Sequence, residues 1–172
     1  MIRTWTPENE APTPPGGTDY RTVKAWFQRC RDLAMEVDVQ KQKIDRIREA
    51  AEKMTPSMNG MPGSGGSGDK VGFAVEKMDT EKRALCRMES ELYALRIEAT
   101  RRAYCLRGSE RQIKQAECIC EFYVNLQSQQ CIASIVGLSG GNAVSTYIHD
   151  GLAALAEIWE DVQNTQSDRA EI

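Results

Sequence analysis

The chain has 172 residues, of which 41% are hydrophobic, 6% aromatic and 27% charged, and its net charge is −3. So few aromatic residues favour a helical protein over a sheet protein, and the net negative charge excludes a polycation that coats nucleic acid. No apolar run approaches the roughly 18 residues that span a bilayer, so we expect no membrane segment. The first residues, MIRTWTPENEAPTPPGGT, have no apolar signal-peptide core, and we therefore expect a cytoplasmic protein.

Proline and glycine are frequent in residues 1–17, which we predict to be a disordered tail. Thr18 or Asp19 can cap the helix that follows. Apolar residues then recur with a seven-residue period in two rows that alternate three and four residues apart, as in a coiled coil. The first row is Val23, Cys30, Val37, Ile44 and Ala51, and the second is Trp26, Leu33, Gln40, Ile47 and Met54.

Pro56 ends this helix, and residues 55–68, which are rich in glycine, predict a flexible loop. The seven-residue period then returns. Its first row is Val71, Met78, Leu85, Leu92, Ala99 and Leu106, and its second is Ala74, Glu81, Met88, Leu95 and Arg102. We predict an antiparallel helical hairpin over residues 18–107, and a parallel dimer through one helix is the competing arrangement. The polar members Gln40, Glu81 and Arg102 would set register or partner choice.

Residues 108–162 predict a small three-helix domain. Gly108 ends the long helix, and Ser109 caps a helix over residues 110–126. Ser128 caps a short helix over residues 128–136, Gly137 turns the chain, and Asn142 caps a last helix to about Val162. The predicted apolar faces of the first two helices contain Ile113, Ala116, Cys120, Tyr123, Val124, Ile132, Ala133 and Ile135. A tight glycine turn between the last two helices is typical of a helix-turn-helix, and we predict a frayed tail over residues 163–172. The predicted fold class is all-α.

This order of elements, with the loop MPGSGGSGDK between the long helices, resembles the ArpU-like transcriptional regulators of phages and prophages of Gram-positive bacteria. Their C-terminal domain is similar to the promoter-reading domain of sigma factors. Three groups of residues fit the pattern of its helix-turn-helix: Ile132 and Ala133 in the first helix, Gly137, Leu138 and Ser139 in the turn, and Val144 and Leu152 in the recognition helix. The resemblance implies a transcription-related role in the cytoplasm of a bacterial host. Thr146 and Asp150 depart from it, because such helices usually carry basic residues there.

The charge of the C-terminal region argues against strong DNA binding. Residues 115–162 contain six carboxylates and no Lys or Arg, whereas phosphate neutralisation by basic side chains supplies much of the affinity for DNA. Basic residues concentrate just before this region, in residues 96–114. We expect weak DNA contact by the basic stretch and by polar residues of the last helix. The candidate residues are Arg101, Arg102, Arg107, Arg111, Lys114, Asn142, Ser145, Thr146 and His149.

Two other binding functions stay open. An acidic three-helix domain can dock on a basic host protein such as RNA polymerase or a nuclease. The candidate residues for that contact are Glu117, Glu121, Asp150, Glu157 and Glu160. A DNA-packaging subunit, which can combine a helix-turn-helix with a helical hairpin, is a further alternative. We also expect a homodimer, because a two-helix hairpin leaves Trp26, Phe27 and Val75 incompletely covered.

Nothing in the sequence favours catalysis. His149 is the only histidine and has no Ser or Cys partner that spacing can identify. GSGGSG lacks the Gly-Lys-Ser/Thr that completes a phosphate-binding loop. The cysteines contain no Cys-x-x-Cys pair, and Cys118 and Cys120 would point about 200° apart on a helix. We therefore expect reduced thiols, no metal, no cofactor and no enzymatic activity.

Overall fold

The computed structural model describes residues 18–54 and 67–162, which contain helices and no strand. The helices are α1 (Tyr20–Met54), α2 (Ser67–Ala103), α3 (Glu110–Ile119), α4 (Gln129–Val136) and α5 (Gly141–Glu157), and a π-helical segment, Cys120–Val124, continues α3. The predicted all-α class is confirmed. The predicted N-terminal tail, the C-terminal tail and residues 55–66 of the predicted loop lie outside the described residues. The last two loop positions, Ser67 and Gly68, begin α2.

The chain divides into two compact units. Among the described residues, unit 1 combines residues 18–28 with residues 100–162, and unit 2 contains residues 29–54 and 67–99. Each long helix therefore contributes to both units. The first turns of α1 and the residues around the end of α2, which the sequence interpretation assigned to the hairpin, belong to the same unit as α3, α4 and α5.

In unit 2, several predicted heptad positions (Leu33, Val37, Leu85, Met88 and Leu92) lie in or beside one buried cluster, which also includes Ala34 outside the predicted rows. Ala34 and Val37 of α1 pack against Leu92 of α2 in a buried cluster, with Leu33, Leu85 and Met88 at its edge. The Cys30 thiol lies 4.0 Å from the Leu95 carbonyl oxygen. Early residues of α1 thus meet late residues of α2.

The polar heptad residues Gln40 and Glu81 contact each other. Gln40 Nε2 donates to the Glu81 carbonyl oxygen at 3.1 Å and to its Oε2 at 2.7 Å. Lys43 Nζ lies 2.6 Å from Glu81 Oε1. The hydrogen bonds from Lys43 and then Gln40 lower the pKa of Glu81 below its usual value. A one-turn slip of α1 along α2 would break this three-residue network, so it fixes the register within a single chain.

The core of unit 1 is built where α5 packs on α3 and α4. Val144, Ile148, Leu152 and Leu155 of α5 are buried. Gly151 lies where α5 approaches α3 most tightly, since a Cβ built on it would lie 2.9 Å from Gln115 Cβ and 2.9 Å from Ile119 Cδ1. The lack of a side chain at Gly151 therefore sets the distance between these two helices.

An aromatic cluster completes this core. Trp159 packs edge-on against Trp26, with ring centroids 5.6 Å apart, and Phe27 lies 5.8 Å from Tyr123. The guanidinium of Arg102 lies 4.3 Å from the Trp26 ring and 4.8 Å from the Trp159 ring. Phe27 has no exposed surface. The expectation that Phe27 needs a second chain to cover it is therefore wrong, because aromatic residues distant in sequence cover it.

The helix ends follow local sequence signals in most places. Asp19 precedes α1, and its Oδ1 accepts from the Arg21 backbone N–H at 3.2 Å. Ser109 caps α3 and Ser128 caps α4 through their hydroxyl oxygens, as predicted. Gly137 ends α4 in the left-handed conformation, with φ 74°.

Three predicted boundaries need correction. Asn142 does not cap α5, because Gly140 occupies the cap position and Asn142 lies inside the helix. The last helix breaks at Ile158, whose backbone N–H bonds to the Leu155 carbonyl oxygen at 3.2 Å, before a final turn at residues 159–162. α2 ends at Ala103 and not at Gly108, since Cys105 and Leu106 donate to carbonyl groups three residues back in a tightened last turn.

Two residues predicted on apolar helix faces are exposed. Ile113 of α3 is 42% exposed and Ile135 of α4 is 56% exposed. α3 is covered through Ala116, Cys118 and Ile119, and α4 through Ile132 and Ala133. Helices this short need only a narrow apolar stripe, so the outer member of each predicted face remains at the surface.

Candidate macromolecule-binding surface

The candidate surface begins with the turn between α4 and α5. The two helices are bent by 84° at this break. Gly137 reverses the chain with its positive φ, and the Leu138 backbone N–H donates to the Ala133 carbonyl oxygen at 2.8 Å. Gly140 then precedes α5 with φ 152°. These two glycines allow α5 to leave α4 at a steep angle within four residues.

One face of α5 is buried and the opposite face is polar and exposed. We call this exposed face the α5 surface. It comprises Asn142, Ser145, Thr146 and His149. The Thr146 hydroxyl donates to the Asn142 carbonyl oxygen at 3.1 Å, so its proton is already used within the helix. The α5 surface therefore offers amide, hydroxyl and imidazole groups for hydrogen bonds but no permanent positive charge.

The structure brings Arg111 of α3 to the edge of the α5 surface. Its Nη2 lies 2.7 Å from Asp150 Oδ2, and its guanidinium lies 5.7 Å from the Tyr147 ring. Sequence spacing placed Arg111 and the α5 residues in separate segments, whereas the fold makes them neighbours. Asp150 is thus an intramolecular partner of a basic residue, and its carboxylate accepts from one of the guanidinium donors of Arg111.

The contacts continue from α5 to the start of α1. The His149 ring packs at a tilt against the Tyr20 ring, with centroids 4.8 Å apart and planes 39° apart. Lys24 Nζ lies 6.0 Å from the Tyr20 ring, and His149 Nδ1 lies 3.5 Å from Asp150 Oδ1. We call the whole series the contact row. It comprises Lys24, Tyr20, His149, Asp150, Arg111 and Tyr147. Tyr20 and Lys24 were not identified from the sequence, since only tertiary structure joins them to α5.

The other predicted basic residues differ in exposure and in their contacts. Arg101 and Arg107 are exposed. Lys114 Nζ pairs with Glu110 Oε1 at 2.9 Å, and the hydrogen bond between them lowers the pKa of Glu110 and raises that of Lys114. Arg102 is only 6% exposed, because its guanidinium lies against two tryptophans. Arg102 thus stabilises the core of unit 1 and does not belong to a phosphate-binding surface.

The predicted acidic residues do not form one patch. Glu117 and Glu121 lie one turn apart beside Tyr104, whose pKa is raised by partial burial and then by nearby Cys120 and these two carboxylates. Glu121 Oε1 accepts from Asn125 Nδ2 at 3.0 Å. Glu157 and Glu160 are exposed near the end of α5. Asp150 is separate again, because it faces Arg111.

Residues 18–54 and 67–162 contain no group of three His, Cys, Asp or Glu side chains that could hold a metal ion. Burial raises the pKa of the Cys30 and Cys118 thiols to about 11. In the same two ranges, no single helix combines the length and apolarity needed to cross a membrane; α4 and α5 reach that threshold only as a bent pair.

Comparison with known proteins gives no relative. No family model, no curated protein and no solved structure matches this chain.

Proposed function

We propose that this chain is a transcription-related regulator of the ArpU-like type, acting by macromolecular recognition in the cytoplasm of a bacterial host and not by catalysis. Two structural features support the architecture that this role requires. The antiparallel contacts of α1 with α2 in unit 2 support a helical hairpin. The 84° bend at the glycine turn between α4 and α5 is close to the 90–120° of a helix-turn-helix, with α5 as the recognition helix.

The contact between Arg111 and α5 is the observation that carries DNA binding. A recognition helix needs cationic contacts to phosphates, which fix its register while its polar side chains read base edges. α5 has no Lys or Arg of its own. Arg111 supplies a cation at its edge, and Arg107 lies nearby in sequence. DNA would thus meet α5 through bases and α3 through phosphates.

The same geometry predicts weak binding. Asp150 pairs with Arg111, and Glu110 pairs with Lys114, so two of the cations nearest α5 already have carboxylate partners. The Asp150 carboxylate lowers the net positive charge that a phosphate meets at Arg111, and it occupies the Nη2 donor of the guanidinium. We expect the unmodified chain to bind duplex DNA weakly at physiological salt.

Replacing Asp150 tests the proposal. Asp150→Asn removes the competing carboxylate while keeping the size of the side chain. Fluorescence anisotropy with a labelled duplex should show several-fold tighter, salt-sensitive binding, as one released phosphate contact requires. Glu160→Gln is the matched control, because it removes the same charge from an exposed position outside the contact row.

Arg111→Ala separates a specific contact from a general change in charge. Combined with Asp150→Asn, it should abolish the gain in affinity, since the released cation is gone. Equal gains from Asp150→Asn and Glu160→Gln would show that α5 and α3 form no phosphate site. If none of these proteins binds duplex DNA at low salt, the DNA-binding function is wrong.

Glu117 and Glu121, which lie one turn apart beside the half-exposed Tyr104, favour a second candidate function, docking on a basic protein surface. Tyrosine is enriched in protein interfaces, and the two carboxylates would supply charge complementarity to a basic partner. Host RNA polymerase is the partner to test. In size-exclusion chromatography, co-elution of the chain with RNA polymerase should be lost in the double variant Glu117→Gln with Glu121→Gln. It should be kept in Glu157→Gln. Absence of any complex with the wild-type chain would remove this candidate.

A further inference from the structure

The contact row extends beyond the α3 and α5 residues on which the proposed function rests. We infer that the start of α1 is a second phosphate-contacting element, in which Lys24, next to the α5 surface, binds the duplex backbone. The inference rests on the proposed function and adds a residue to its DNA surface. Neither the heptad pattern of α1 nor its charge distribution indicates such a role.

Two contacts place Lys24 next to α5. The Tyr20 ring packs at a tilt against the ring of His149, which lies on the α5 surface, with centroids 4.8 Å apart. Lys24 lies one turn further along α1, with its Nζ 6.0 Å from the Tyr20 ring, and its side chain is exposed. The start of α1 therefore contacts the recognition helix through a tilted aromatic pair, and all these residues belong to unit 1.

The contact row connects α5 with a cation on each of two other elements. Lys24 on α1 reaches His149 through Tyr20, and Arg111 on α3 contacts Asp150 and Tyr147. A major groove is about 12 Å wide and has a phosphate backbone on each side, so a helix inside it is best held by cations on both flanks. α5 carries no Lys or Arg, so neighbouring helices must supply both.

The role of Lys24 can be measured as a salt slope. Each phosphate contact contributes about 0.9 to the slope of log affinity against log salt for duplex DNA. Anisotropy titrations between about 50 and 200 mM salt should give Lys24→Ala a slope shallower by about one contact than that of the wild type. Lys24→Arg should keep the wild-type slope. Lys41→Ala is the matched control, because Lys41 is an exposed α1 lysine that pairs with Glu89 at 2.9 Å in unit 2.

Lysine footprinting on the unmodified full chain gives a second measurement that needs no variant. Excess duplex should protect Lys24 from acetylation and leave Lys41 reactive. If the wild-type chain binds DNA but Lys24→Ala keeps the full slope and Lys24 stays reactive, the inference is overturned and the proposed function stands. Equal decreases of the salt slope in Lys24→Ala and Lys41→Ala would also overturn the inference, since only net charge would then matter. If neither the wild type nor Asp150→Asn binds duplex DNA, both proposals fail.

Discussion

At the scale of single residues, Arg102 shows how burial redefines a basic side chain. Its guanidinium is planar and weakly hydrated, so it can lie against two indole rings and contribute about 2 kcal/mol when desolvated. A lysine ammonium keeps the charge but cannot stack in the same way. Arg102→Lys should lower the free energy of unfolding by on the order of 2 kcal/mol in urea titrations. Arg101→Lys, at the exposed neighbouring position, should change it little; equal effects would contradict a stacking role.

Glu81 makes the stability of the α1–α2 contact depend on pH. Because Lys43 and Gln40 hydrogen-bond its carboxylate, its folded-state pKa is below the unfolded value, and its contribution is present at neutral pH and lost as pH falls through the folded pKa. Glu81→Gln should be less stable than the wild type at pH 7, and this gap should close below about pH 4. Urea titrations at several pH values measure this difference in the free energy of unfolding. Glu49→Gln, an exposed change on α1, should show no such gap, and a gap for Glu81→Gln that is independent of pH would contradict the argument.

At the scale of elements, Gly151 controls how closely α5 packs on α3. Alanine is favoured over glycine in a helix by about 1 kcal/mol, but its Cβ would meet Gln115 Cβ and Ile119 Cδ1 at 2.9 Å. Overpacking of this kind costs about 1–3 kcal/mol, so Gly151→Ala should be destabilising in thermal melts. Gly72→Ala on α2 has no atom within 4 Å of its new Cβ and should be stabilising by about 0.5–1 kcal/mol. A stabilising Gly151→Ala would show that α3 and α5 are not in close contact.

The heptad positions of α1 and α2 should carry the stability of unit 2. Ile44 is buried, and Ile44→Asp would place a carboxylate in an apolar contact at a cost on the order of several kcal/mol. Gln42→Asp, two residues earlier, is exposed and should cost little. Lys43 is not a neutral control, because Lys43→Asp would set a second carboxylate against Glu81. Circular dichroism melts that do not distinguish Ile44→Asp from Gln42→Asp would contradict the heptad interpretation.

Local sequence signals were sufficient for the parts of the fold that depend on neighbouring residues. Ser109, Ser128 and Gly137 cap or end helices through their own hydroxyl or backbone conformation, and the sequence places all three correctly. Asn142 failed as a cap because Gly140 could adopt a conformation that starts α5 earlier. Phe27 and Arg102 could not be placed, since heptad spacing assigns both to the long helices and says nothing of Trp159, which covers them. The contacts of Arg111 with Asp150 and of Tyr20 with His149 could not be predicted for the same reason, since only tertiary structure brings these residues together.

At the scale of the whole molecule, the separation of charge seen in the sequence is modified by pairing. The acidic stretch of residues 115–162 contains Asp150, but this carboxylate meets Arg111 from the basic stretch before it. Counting charges along the chain therefore overstates the repulsion that DNA would meet at α5, and overstates the free positive charge on α3. The outcome is a polar surface on α5 with the paired charges of Arg111 and Asp150 at its edge. Such a surface suits weak, salt-sensitive contact that a single substitution can strengthen.

Exposed apolar residues on α1 and α2 predict self-association. Phe27 no longer supports a dimer, but two apolar pairs one turn apart are exposed, Met35 with Val39 on α1 and Tyr93 with Ile97 on α2. A stable dimer buries about 1,200–2,000 Å², more than either pair provides, so we expect a weak homodimer that dissociates on dilution. Light scattering over a concentration series should show this change in mass. Two double variants identify the face involved: Met35→Ser with Val39→Ser on α1, and Tyr93→Ser with Ile97→Ser on α2. Phe73→Ser is the control at an isolated exposed position. A monomer at every concentration would mean that these side chains are simply solvated, as scattered apolar residues on protein surfaces commonly are.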